Sequence, residues 1–140
     1  MPTISVTSAP LRIAVIAFDG MTPFHLSVPC LVFGAQTDEA DLPPFQVRVC
    51  AADPAPLRTA AGFSIMPECG LEGLEDADIV IMPAWHDDCR DAAPSLVAAL
   101  QAASGRGARM VGLCLGAFPL AQAGLLDGKS AATHWGMAQQ

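Results

Sequence analysis

A chain of 140 residues is long enough to bury one substantial core and too short for two globular domains. Hydrophobic residues make up 52% of it and charged residues 15%, which excludes a disordered acidic tail and favours elements covered on both faces, as in parallel sheets. Fourteen acids against seven bases give a formal charge of −7 with no run of Lys or Arg, so the chain by itself is not expected to bind nucleic acid.

Met1 to Pro10 lack a basic segment followed by an apolar core, and no apolar stretch is long enough to span a bilayer, so a cytoplasmic protein is expected. Leu11 to Phe18 (LRIAVIAF) is a short apolar run rich in β-branched residues, closed by the turn signal Asp19-Gly20, and reads as a buried first strand. Thr22-Pro23 then has the form of an N-cap with Pro at the first helical position. Phe24, Val28, Leu31 and Val32 recur at helical spacing up to about Gly34. A loop at Asp41 to Pro44 leads to Phe45–Ala51 (FQVRVCA), whose alternation suits a half-exposed edge strand. A hairpin-like stretch over Leu57 to Pro67 turns at Gly62.

Asp78 to Met82 (DIVIM) reads as another buried strand, stopped by Pro83. Asp91 to Ser104 reads as a helix with Leu96, Val97 and Leu100 on one face and Gly105 at its end. Arg109–Leu113 returns as a strand, Leu115–Ala123 as a helix, and Ser130–Thr133 as a short strand after the Asp127-Gly128 turn. Alternating strands and helices imply right-handed crossovers and a mostly parallel sheet, with ligand sites beyond the carboxyl ends of the strands. The final residues, from His134, have the look of the first turns of a further helix, so a domain truncated at its C-terminus is expected.

Five cysteines, Cys30, Cys50, Cys69, Cys89 and Cys114, are an odd number without paired spacing. Neither a disulfide framework nor a metal site is indicated, and no cofactor is expected. Gly112-Leu113-Cys114-Leu115-Gly116 is different, because it has the G-x-nucleophile-x-G spacing between a buried strand and an apolar helix. Glycines suit a sharply bent turn that exposes its central residue at a helix N-terminus, where dipole and unpaired amides favour a thiolate. The Leu115 N–H is placed to serve an anion or oxyanion. The alternative is a core thiol at the end of a strand.

His134 lies 20 positions after Cys114, and βαβ geometry would return it to the same sheet edge, either as the base of a Cys-His pair and a ligand contact or as a surface cap. His25, in the first turn of the first helix, reads as a cavity residue or as a solvated or core histidine. Ala84 and Trp85 follow a strand at the same edge, where Trp85 is either a pocket wall or an ordinary half-buried indole. His86, Asp87, Asp88 and Cys89 are adjacent in sequence and point in different directions, which argues against a metal there.

These residues resemble the ThiJ/PfpI superfamily of class I glutamine amidotransferase-like domains, in the version found at the N-terminus of AraC/XylS-type transcription regulators. The resemblance rests on RIAVIAFDGMTPFHLSVPCLVFG within Leu11–Gly34, on ADIVIMPAW at Ala77–Trp85, and on GLCLGAFPLAQAGLLDGKSAATHW at Gly112–Trp135. It implies a flavodoxin-like three-layer sandwich, a homodimer, and a small-molecule ligand held near Cys114 by His25, Ala84, Trp85, Leu115 and His134. In full-length relatives it also implies a C-terminal helix-turn-helix domain that binds DNA, which these 140 residues do not include. Enzymatic relatives carry a carboxylate on the first helix four positions before a proline. Here Pro29 makes that position His25, and no His-x-Glu pair follows Cys114. A ligand-sensing and dimerisation domain is therefore the favoured reading. The alternatives are a stand-alone enzyme using Cys114 and His134, of isocyanide hydratase or glyoxalase-like type, and a redox sensor confined to Cys114.

Overall fold

The computed structural model of the protein describes residues 9–34 and 44–137. Its apolar runs become the parallel strands that the alternation required. Strand β1, Leu11–Ala17, lies inside the sheet and is fully buried from Ile13 onward. It pairs in parallel with β2, Phe45–Ala51, on one side and with β5, Ile79–Met82, on the other; β6, Arg109–Gly112, pairs in parallel with β5. The order β2-β1-β5-β6 makes β2 an edge strand, as its mixed composition suggested. The expected hairpin is a two-residue ladder, β3 at Leu57–Arg58 against β4 at Ser64–Ile65, with Gly62 in the left-handed region between them. Of the loop expected before β2, only Pro44 is among the described residues, and its carbonyl accepts the Leu11 N–H at 2.9 Å.

Alternation along β1 divides the core into two layers. Ile13 and Val15, with Ile81, face helix α1, Pro23–Gly34, which returns Leu26, Cys30 and Phe33 to them. Ala14 and Ile16 face the opposite layer. That layer is built from α2, Pro94–Gly105, from α3, Ala117–Gln122, and from a 3-10 turn at Leu71–Leu74 that the sequence did not signal. Within α2, Leu96 and Leu100 are buried and Val97 is half-buried.

Helix α1 forms where its apolar spacing placed it, but the repeating residues are on its outer side. Phe24, Val28, Leu31 and Val32 are all exposed, Leu31 to 73%. The helix also tolerates an interior proline. Pro29 has no N–H to give the His25 carbonyl, and its ring is buried.

Two expectations need correction. Ser130–Thr133 is not a strand: Ser130, Ala131 and Ala132 are small and exposed, bury nothing, and pair with no strand. The helix after Cys114 starts later than expected, because Cys114–Gly116 first makes a 3-10 turn.

Candidate functional site

Strand β6 ends at Gly112, and the next amide, Leu113 N–H, still donates to the Met82 carbonyl at 3.0 Å. The backbone then bends at Cys114, whose φ of 52° lies in the left-handed region. For a residue with a Cβ, that conformation costs about 1–3 kcal/mol and persists only where the surroundings enforce it. The enforcement is visible in the flanking glycines. A Cβ on Gly116 would land on the Met82 carbonyl, and one on Gly112 would sit 3.0 Å from Leu120 Cδ1 and 3.1 Å from the Ala117 nitrogen. Gly116 is thus required by space and Gly112 sits in a tight position, and the close approach of α3 to β5 holds the turn. On its far side, Thr133 Oγ1 donates to the Cys114 carbonyl at 3.0 Å.

The end of β1 supplies a second wall. Asp19 N–H donates to Asp53 Oδ2 at 2.9 Å, while the Asp19 carboxylate accepts from the Arg58 backbone N–H at 2.8 Å and its guanidinium at 3.3 Å. These bonds, the backbone one first, hold the Asp19 carboxyl below the usual carboxylate range. Gly20, at φ 84°, donates its N–H to the Arg58 carbonyl, and Ala60 N–H donates to the Met21 carbonyl. The β3–β4 hairpin is in this way drawn across the start of α1.

The exit from β5 makes the third wall. Trp85 is buried, packs its ring on Phe18 at 5.1 Å between centroids, and donates its indole N–H to the Arg90 carbonyl at 2.7 Å. Arg90 grips Asp88 through two nitrogens, the shorter contact being 2.8 Å. His86 lies against both Phe18 and Trp85, each with ring centroids at 4.8 Å. Burial first, and the Arg90 charge second, push its imidazole below the ordinary value of 6.5, so it is neutral near pH 7.

These three segments enclose a cavity of about 390 Å³. Phe18, Met21, Thr22 and His25 line it from the β1 side, Ala84 to Asp88 and Arg90 from the β5 side, Cys114 and Leu115 from the β6 side, and Ala60 from the hairpin. It lies beyond the carboxyl ends of the strands, where parallel sheets place their ligands. Five of the residues singled out from sequence, His25, Ala84, Trp85, Cys114 and Leu115, therefore share one cavity. Within its wall, His25 Nδ1 is buried and has no hydrogen-bond partner among the described residues. A buried polar atom without a partner costs about 1–3 kcal/mol, so this nitrogen is a polar group that a ligand could satisfy.

His134 does not line the cavity. It is exposed, accepts the Gly136 N–H through Nδ1 at 3.2 Å, and stacks on Trp135. The crossover geometry expected to return it to Cys114 needed a strand at 130–133, and none forms. Sequence reasoning in turn missed Phe18, Met21 and Ala60 as cavity walls. The Asp19-Gly20 turn was the available signal for the first two, whereas Ala60 arrives through a hairpin whose docking depends on Asp19 and Arg58.

Comparison with known proteins agrees with this architecture. A profile of the DJ-1/PfpI family matches residues 11–140. The chain is 33% identical over 132 residues to a Streptomyces lividans protein described as an uncharacterized protein in the cpoL 5′ region, covering 93% of this chain and 92% of that one. It is 34% identical over 96 residues to the HTH-type transcriptional regulator CdhR of Pseudomonas aeruginosa, covering 69% of this chain but only 28% of the regulator. Among solved structures, a ThiJ/PfpI family protein from Pseudomonas syringae superposes with a TM-score of 0.76 at 24% identity, over 96% of this chain and 57% of the other. An AraC family transcriptional regulator from Pseudomonas putida gives 0.67 at 20% identity, over 93% and 70%.

Proposed function

The chain belongs to the DJ-1/PfpI family, and from that premise we propose that it is the ligand-sensing and dimerisation domain of an AraC-type transcription regulator. The observation that carries the reading is the cavity itself. It joins a polar side chain, His25, to a strained Cys114 and an aromatic wall of Phe18 and Trp85. A small metabolite with an amine or carbonyl group would find an apolar surface for its body, His25 as a polar partner, and Asp87 or Asp88 as acceptors. Contact with DNA is assigned to a helix-turn-helix domain of the whole regulator, outside these residues, because the acidic charge here repels phosphate. The homodimer is assigned to the outward stripe of α1, Phe24, Val28, Leu31 and Val32, against a second copy. Leu31→Glu is expected to convert the dimer to monomer in sedimentation equilibrium.

The second reading, a stand-alone cysteine-dependent enzyme, is favoured by the Cys114 backbone, since strain of this kind gathers at reacting residues. One experiment separates the two. Small amines and carbonyl compounds are screened by thermal shift against wild type and Cys114→Ser, with substrate loss followed in parallel. A ligand at a hundredfold excess over its Kd should raise the melting temperature by roughly 10 °C in both proteins and remain unconsumed. Turnover that Cys114→Ser abolishes would replace sensing with catalysis.

A further inference from the structure

A pair of sulfurs lies away from the cavity. Cys50, the penultimate residue of β2, and Cys69, just ahead of the 3-10 turn at Leu71–Leu74, have their Sγ atoms 3.5 Å apart. Nineteen positions separate them in sequence, and an isolated parallel bridge makes them direct backbone neighbours, with Ala51 N–H donating to the Cys69 carbonyl at 2.9 Å. Bridged backbones of this kind lie about 4.7–4.9 Å apart. That spacing is within the range of roughly 4.4–6.8 Å between Cα atoms that a disulfide spans. The pair is built in from below as well. A Cβ on Gly73 would lie 2.5 Å from the Cys50 sulfur and 2.6 Å from that of Cys69, so a glycine leaves the two thiols the room in which they meet.

We propose that Cys50 and Cys69 are a reversible dithiol–disulfide site of this domain, with a hydroperoxide as the oxidant. The two cysteines divide the work by access. Cys69 is partly exposed and Cys50 is completely buried. Burial, then the hydrogen bond with Cys69, pushes the Cys50 thiol up to about 12, so it stays protonated until its partner has reacted. The Cys69 thiolate attacks a peroxide oxygen, the O–O bond breaks, and the alkoxide leaves with the proton the thiol gave up, as alcohol, or as water from hydrogen peroxide. Cys69 is left as sulfenic acid. The Cys50 sulfur then attacks the Cys69 sulfur, the S–O bond breaks, and the departing hydroxide takes the Cys50 proton as water. Two thiols are oxidised to one disulfide and one hydroperoxide is reduced.

This site does not depend on the sensing reading, because none of its atoms line the cavity. It also differs from a redox sensor confined to Cys114. The test treats folded wild type and Cys114→Ser with hydrogen peroxide, blocks the remaining thiols, and maps peptides without reduction. The expected product in both is a Cys50–Cys69 linked peptide, two hydrogens lighter than the sum of its parts, which dithiothreitol returns to two free thiols. In Cys69→Ser the linked peptide is lost and Cys50 remains unmodified. Recovery of Cys69 as sulfinic or sulfonic acid with Cys50 untouched would overturn the proposal. So would both thiols remaining free after peroxide has consumed Cys114 in wild type.

Discussion

Cys114 follows β6 by two residues and Cys50 lies one residue before the end of β2, yet the backbone gives their sulfurs different surroundings. Cys50 is still within the pleat, so alternation sends its side chain into the layer beneath the sheet, between Cys69 and Gly73, at 0% exposure. Cys114 has left the pleat. Its positive φ breaks the alternation and presents the residue to the cavity formed by the ends of three strands. The same residue type in the same sheet is therefore placed for contact with a ligand in one case and with a second thiol in the other. The difference is set by one backbone dihedral and by which neighbour is glycine.

The sharpest way to break this contrast is at Gly116. Replacing it with Ala puts a methyl group on the Met82 carbonyl and should cost about 3 kcal/mol in chemical denaturation, with loss of the Cys114 turn. Gly73→Ala attacks the other site. It wedges a methyl group between two sulfurs that can give way more easily than backbone, so a loss of about 1–2 kcal/mol is expected, along with less of the Cys50–Cys69 crosslink. Cys114→Gly has the opposite sign. Relief of the left-handed strain outweighs the extra freedom of glycine in the unfolded chain, and urea unfolding should show a gain of about 1 kcal/mol in a protein without its cavity thiol.

The smallest effect is the pH dependence at His86. Its imidazole is held below 6.5 in the folded state, so as pH falls past 6.5 the unfolded chain binds the proton first. Stability should therefore decline through that window and be fully present above it. His86→Gln should flatten the decline in melting curves taken at successive pH values.

The sequence was most informative where local chemistry decides structure. Three β-branched runs, the Thr22-Pro23 helix start and the Gly62 turn all appear as read, because each depends on residues within a few positions of one another. The Gly112–Gly116 spacing likewise announced a crowded turn, and five expected cavity residues meet there. What was illegible depends on register and docking. Nothing in the spacing of Cys50 and Cys69 signals a pair; their meeting requires β2 to be an edge strand that the 66–70 segment can approach. Ala60 reaches the cavity through a distant hairpin that docks by the Arg58 N–H on Asp19 and the Ala60 N–H on the Met21 carbonyl. His134 failed for the converse reason, since its placement presumed a strand for which Ser130–Ala132 provide no apolar side chain large enough to bury. The outward stripe of α1 has the same period as a core-facing one, and spacing alone does not say which side of a helix meets the sheet.

That stripe shares its helix with the cavity wall: at about 1.5 Å of rise per residue, His25 and Val32 stand roughly 10 Å apart along α1. One end forms part of a cavity wall, while the outer flank offers Phe24, Val28, Leu31 and Val32 to whatever settles there. A partner seated on the outer flank and a molecule in the cavity would therefore touch one and the same helix from opposite sides.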